Sequence, residues 1–198
     1  MAYVKTEVRS QQFVEAARRV AERDGVAKLT LRSVASEAGA SLGILHYTFP
    51  SKEELLASLL QDVIDEATFA FRDNAADPKD LAATIRAGLG SFWNGVIQSR
   101  DQLQTMQYEL TTHALRTEGL RPLAREQYEQ YSGLLRSWLV DVLAASARTS
   151  QTPVDVVSRV LLAALDGLII QYLCDPDPVR SVGDLNVIAD VTVHMLGA

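Results

Sequence analysis

In the stretch GASLGILHYTFPSKEELL, residues 39–56, an imidazole, a phenol and a hydroxyl stand side by side at His46, Tyr47 and Thr48. Ser41 and Gly43 precede them, Lys52 follows, and Thr30 and Arg32 lie in the short segment before. These groups donate hydrogen bonds, stack on flat rings and neutralise anions. They do not form a nucleophile with its base. The chemistry they offer is recognition of a polar, anionic surface.

Nothing elsewhere suggests bond-making. The sequence has no Gly-rich phosphate loop, no paired-Cys spacing, and no His-x-x-x-His or Glu-x-x-His pair. Its three histidines, His46, His113 and His194, fall on separate predicted helices. We therefore expect a protein that is not an enzyme, with no catalytic residue, metal or cofactor. The single cysteine, Cys174, excludes an intrachain disulfide and fits a reducing, cytoplasmic setting. The N-terminal residues lack the apolar core of a signal peptide. The longest apolar run, 160–174, is interrupted by Asp166 and Gln171, so no membrane partner is expected.

A net charge of −6 argues against nucleic acid until its distribution is considered. The first sixty residues hold eight Lys/Arg against seven Asp/Glu, and the remainder eleven against eighteen. The acidic excess belongs to the larger part, leaving the beginning free to present a basic face.

The elements that must position these residues read as helices throughout. Apolar residues recur at helical spacing between cap signals, which predicts an all-α fold of about nine helices. The first runs from about Thr6 to Asp24 and stops at Gly25. Thr30 caps the second, Ser41 the third, and Ser51 with Glu54 the fourth. Asp77-Pro78 and Thr152-Pro153 read as a cap followed by proline at the first helical position, opening the fifth and eighth. Ser181 reads as the cap of the ninth. The chain is expected to divide into a head, 1–50, and a larger body, 51–198.

Two short helices joined by GAS read either as an ordinary helix pair of an all-α protein or as a helix-turn-helix, whose second helix enters the major groove. Leu42 and Leu45 can anchor that helix, and Gly43 lets its start approach DNA closely. Ser41 and the first-turn N–H groups can meet phosphate. LTLRSVASEAGASLGILHYTFPSKEELL, residues 29–56, resembles the DNA-binding region of the tetracycline-repressor (TetR) family of bacterial regulators. Thr30, Ala35, Ala38, Gly39, Ser41, Gly43, Leu45, Phe49, Ser51, Lys52 and Leu55 carry the likeness. Where the family has tyrosine, this chain has His46, with tyrosine one position later. The resemblance implies that Thr30, Tyr47, Thr48 and Lys52 hold phosphates and that Arg32, Leu42 and His46 reach base edges. Arginine fits the guanine edge best. Lys5 and Arg9 read first as part of a disordered tail, with contact to the adjacent minor groove as the alternative.

The remaining residues suggest a sensor. Tyr128, Tyr131, Leu135, Trp138 and Val142 share one face of the seventh helix, and Trp93, Tyr108 and His113 come from the two before it. Such rings form either plain core or an aromatic cavity for a small apolar or aromatic inducer. Gly88, Gly90 and Gly95 suggest close packing, a kink or a pliable wall there. The last two helices are apolar nearly all round and need covering on both sides. A homodimer seam through Leu161, Leu165, Leu168, Ile169, Ile188, Val191 and Met195 supplies the second cover. The resemblance implies the same, a four-helix bundle from the last two helices of each subunit. LLAALDGLIIQYLCDPD resembles the C-terminal region of the family's BetI-like branch. Asp166, alone in this apolar run, either binds a cationic ligand or accepts hydrogen bonds across the seam.

The function implied is a ligand-responsive regulator, most plainly a repressor released from a palindromic double-stranded DNA operator by a small molecule. The alternative is a nucleoid-type or protein-interaction module with no specific operator.

Overall fold

The computed structural model describes residues 2–72, 80–97 and 101–197, and the side chains of these except 2–6, 66–72, 96 and 101. The described residues form nine α-helices and no strand: α1 Ala2–Asp24, α2 Leu31–Glu37, α3 Leu42–Thr48, α4 Lys52–Arg72, α5 Leu81–Phe92, α6 Asp101–Arg116, α7 Arg121–Ala145, α8 Val154–Cys174 and α9 Pro178–Leu196. A 3-10 turn, Val26–Lys28, precedes α2, and a π-turn, Trp93–Ile97, follows α5. The side chain of Lys5 and the Asp77-Pro78 pair lie outside the described residues.

Local chemistry accounts for most boundaries. Thr30 and Ser33 cap α2 reciprocally, with Ser33 N donating to Thr30 Oγ1 at 3.0 Å and Thr30 N to Ser33 Oγ at 2.9 Å. Gly25 holds φ 83 and ψ 154, a conformation that side chains disfavour, between α1 and the 3-10 turn. Asp80 caps α5 by accepting from Ala83 N at 2.9 Å. Pro153 occupies the N-cap of α8 without a side-chain bond, one position earlier than the cap-then-proline reading places it. Ser181 is not the cap of α9. Asp177 accepts from Val179 N and Arg180 N, and Pro178 takes the first helical position. Ser181 is buried inside the helix and donates to Asp177 O at 2.7 Å.

The described chain divides into two compact units. The first contains Met1–Asp65 and Gln102–Gln127. Its core joins Phe13, Ala17 and Val20 of α1, Val34 of α2 and Leu45 of α3 to Leu55 and Leu59 of α4 and to Leu103, Met106 and Leu110 of α6. The boundary expected at residue 50 therefore falls inside this packed unit.

The second unit contains Glu66–Asp101 and Tyr128–Ala198, in which α9 packs on α5 and α8. Arg86 of α5 pairs with Asp190 of α9, and Arg136 of α7 with Asp155 of α8. Among the described helices α8 is long and apolar enough to cross a membrane by length and composition. Its buried residues include Val157, Leu161, Leu165, Leu168, Ile169 and Tyr172, which pack inside the unit as in any core helix. The residues expected at the seam differ in their exposure within the single chain. Leu161, Leu165, Leu168 and Ile169 are 2–5% exposed within the single chain, so they face its own core. Val191 is exposed, whereas Ile188 and Met195 are half-buried. The large apolar residues that α8 and α9 leave outward include Val156, Val160 and Ile170 of α8 and Val179, Val182, Val187 and Val191 of α9.

Candidate nucleic-acid interface and ligand site

The recognition surface starts from the packing of α2 and α3. Val34 and Ala35 of α2 and Leu45 of α3 are buried. Gly39, at φ 62, turns the chain between the two helices. Ser41 caps α3, accepting from Ile44 N at 3.4 Å. With Leu45 turned inward, the opposite side of α3 carries Gly43, His46 and Tyr47 to solvent. Tyr47 is 87% exposed, so its ring has no packing role in the chain. A Cβ at Gly43 would meet nothing within 4 Å, and its φ is not positive. Neither backbone nor packing within the chain asks for glycine there.

Charge around α3 is sorted by ion pairing. Arg18 pairs with Asp62 at 2.6 Å, while Arg19 and Arg23 share Glu37 at 2.9 Å each. The hydrogen bonds from Arg23 and Arg19 hold the Glu37 carboxyl below the usual glutamate range. Among the described residues Arg32, exposed, and Lys52, half-buried, take no part in an ion pair, so their charges remain available to an external anion. The threonines are more occupied. Thr30 serves the α2 cap, and Thr48 donates back to Ile44 O at 3.2 Å. Leu42, proposed at a base edge, is half-buried and packs against the head's core, so it anchors α3. Arg9 is exposed on α1.

The ring-bearing residues divide between the units. Trp93, Tyr128, Tyr131, Trp138 and Asp166 belong to the second, whereas Tyr108 and His113, both half-buried on α6, belong to the first. In the second unit Trp93 is fully buried, and Tyr131 and Trp138 are 8% exposed. Tyr128 and Tyr131 meet edge to face, with centroids 6.4 Å apart. The Tyr128 hydroxyl bonds to the Asp166 carboxylate, and burial together with that carboxylate pushes the phenol's pKa up to about 12. Asp166 therefore has an acceptor role inside its own chain.

Other residues give little signal in the sequence. Tyr172 meets Trp93 edge to face at 5.5 Å and 74°. Gly88 lies so close to the Trp138 indole that a Cβ would overlap the ring, whereas Gly90 and Gly95 face open space. Of the three glycines, close packing thus explains Gly88. In the first unit Thr111 donates to Gln127 Oε1 at 2.8 Å, an interior polar pair between α6 and α7.

Comparison with known proteins agrees with this architecture. Residues 13–59 match the family described as bacterial regulatory proteins, tetR family, and residues 76–196 match the tetracyclin repressor-like C-terminal domain. The nicotine-responsive transcriptional repressor HdnoR of Paenarthrobacter nicotinovorans is 30% identical over 196 residues, 98% of each chain. The regulator BetI of Rhizobium meliloti is 28% identical, covering 95% of this chain and 90% of its own. The crystal structure of the multidrug binding protein EbrR complexed with ethidium is 28% identical, covers 96% of this chain and 99% of its own, and superposes with a TM-score of 0.68. The family is one of regulators rather than enzymes. With a helix-turn-helix head and a helical body both matched, the chain belongs to the TetR family of ligand-responsive, DNA-binding transcriptional regulators.

Proposed function

We propose that this regulator is a cytoplasmic repressor that lays α3 in the major groove of a palindromic operator. In this reading His46 and Tyr47 face the DNA, Lys52 holds a phosphate, and Arg32 reads a guanine. The observation that carries it is the outward face of α3, where a nearly fully exposed tyrosine stands beside an unconstrained glycine. The unpaired charges of Arg32 and Lys52 support it.

The outward apolar stripe of α8 and α9, from Val156 and Val160 to Val187 and Val191, is the face we assign to the dimer seam. The ligand site we assign to the second unit, which holds Trp93 just after α5, Tyr131 and Trp138 of α7, and the Tyr128–Asp166 pair. HdnoR is named for its response to nicotine, and EbrR was solved with ethidium. Both are flat-ringed molecules that carry positive charge at neutral pH. An aromatic cation suits rings beside a carboxylate, and a carboxylate can hold the Tyr128 hydroxyl and a cationic nitrogen together. α4, which starts at Lys52 and continues to Arg72, is the lever through which we propose the ligand changes the spacing of the two recognition helices.

Selection from a random duplex pool tests the reading. Enrichment of a palindrome bound at least about 10³-fold better than random DNA is expected, followed by release on titration with nicotine or ethidium. Linkage requires the operator to weaken ligand binding by the same factor. A specificity ratio near one would overturn it in favour of a non-specific module.

A further inference from the structure

We propose that the indole N–H of Trp93 selects the ligand's chemistry: the molecule taken by the second unit carries a neutral hydrogen-bond acceptor on its aromatic body, and Trp93 reads that acceptor. This rests on the aromatic ligand site argued above and specifies a group the ligand must present.

Trp93 is fully buried, and its Nε1 has no hydrogen-bond partner among the described residues. The indole nitrogen is a donor only, and a buried tryptophan ordinarily finds an acceptor for it. A buried donor without one is costly. The Tyr172 ring, edge to face at 5.5 Å, does not remove that cost, because a ring face is a second-order acceptor. Phenylalanine would fill much of the same space without the penalty. The N–H therefore marks a partner from outside the chain.

The backbone at Trp93 gives an independent indication. Trp93 opens the π-turn Trp93–Ile97 immediately after α5. A π-turn interrupts the regular helical ladder and recurs at functional sites. Five residues earlier on α5, Gly88 leaves bare backbone against the Trp138 ring. The end of α5 is thus shaped around the chain's two tryptophans, one packed on glycine and the other holding an unanswered donor.

Quinoline and naphthalene test this directly. They share a bicyclic shape and differ by a ring nitrogen that accepts a hydrogen bond. Calorimetry on the full-length protein is expected to show quinoline binding about tenfold more tightly than naphthalene. Trp93→Phe is expected to abolish that preference while leaving naphthalene affinity near its original value, which also shows that the site is intact. Equal affinities in the unsubstituted protein, or a preference that survives Trp93→Phe, would overturn the proposal. If neither probe binds, the aromatic ligand site itself falls and the inference with it; if both bind without preference, only the inference falls. Should Trp93→Phe fail to fold, nitrogen-15 spectra of the unsubstituted protein decide, with the two indole signals assigned through Trp138→Phe. The Trp93 indole proton is expected to move downfield with quinoline and not with naphthalene, and its failure to do so overturns the assignment.

Discussion

The Glu109 carboxylate accepts the backbone N–H of Val26 at 2.7 Å, across 83 residues of sequence. Val26 opens the 3-10 turn ahead of α2, where a backbone donor has no helical partner of its own. Glu109 stands on α6, next to Tyr108, so a movement of α6 is felt at the turn that starts the helix-turn-helix. Glu109→Ala is expected to lower stability by about 1–2 kcal/mol, and Glu109→Gln, which keeps an acceptor without the charge, by roughly half as much. Urea denaturation of the three proteins measures this. Equal midpoints would show that the bond is idle.

Gly43 allows a test in which fold and function move in opposite directions. Alanine is the better helix former by up to about 1 kcal/mol, and a methyl group at 43 meets nothing in the chain. Gly43→Ala is therefore expected to melt at the same temperature or higher. If α3 approaches DNA at this point, the same methyl group intrudes on the contact and operator affinity falls about tenfold, near 1.4 kcal/mol. Thermal melts and a gel-shift titration separate the two effects. A stable variant with unimpaired operator binding would place Gly43 away from the DNA.

The head was legible because its signals are local. Thr30 and Ser41 act on backbone a few residues away, and Leu45 is inward because the helix period makes it so. The Asp177-Pro178 pair is equally local, and its proline fixes the first helical position of α9 more firmly than a serine at 181 does. The orientation of α8 was not legible. A helix apolar on nearly every side gives no period from which to tell its own core from a partner's, so Leu161 and Val160 look alike until neighbours are placed. Glu109, Gly88 and Tyr172 act on partners far away in the chain, and no spacing rule reaches that far.

The Tyr128–Asp166 bond predicts a titration. Burial and the adjacent carboxylate raise the Tyr128 phenol to about 12, above its ordinary value of 10.0. The fold thus favours the protonated phenol, so the stabilisation is complete below about pH 10 and is lost as pH rises toward 12. Asp166→Asn removes the carboxylate's part of the shift, leaving burial, and Tyr128 should then ionise at lower pH. Phenolate absorbance, read as the difference from Tyr128→Phe, follows this one residue. An unchanged titration in Asp166→Asn would mean that the carboxylate does not hold the phenol.

Leu165 and Val191 distinguish the core from the proposed seam. Leu165 is 3% exposed within the chain and Val191 49%. An ionised carboxylate at 165 would be buried without a partner inside the second unit, so Leu165→Glu is expected to unfold it, with a loss of at least about 3 kcal/mol. In a monomer a carboxylate at 191 stays in water, so Val191→Glu should keep the helical circular dichroism of the parent. In the dimer that charge and its symmetry mate would be trapped in an apolar seam, and the association weakens. A dimeric regulator places its two recognition helices about 34–36 Å apart, one turn of DNA. Val191→Glu is accordingly expected to sediment as a folded monomer and to lose palindrome binding while each head remains intact. A Val191→Glu protein that stays dimeric would move the seam off this stripe, and a folded Leu165→Glu monomer would return it to the inward face of α8.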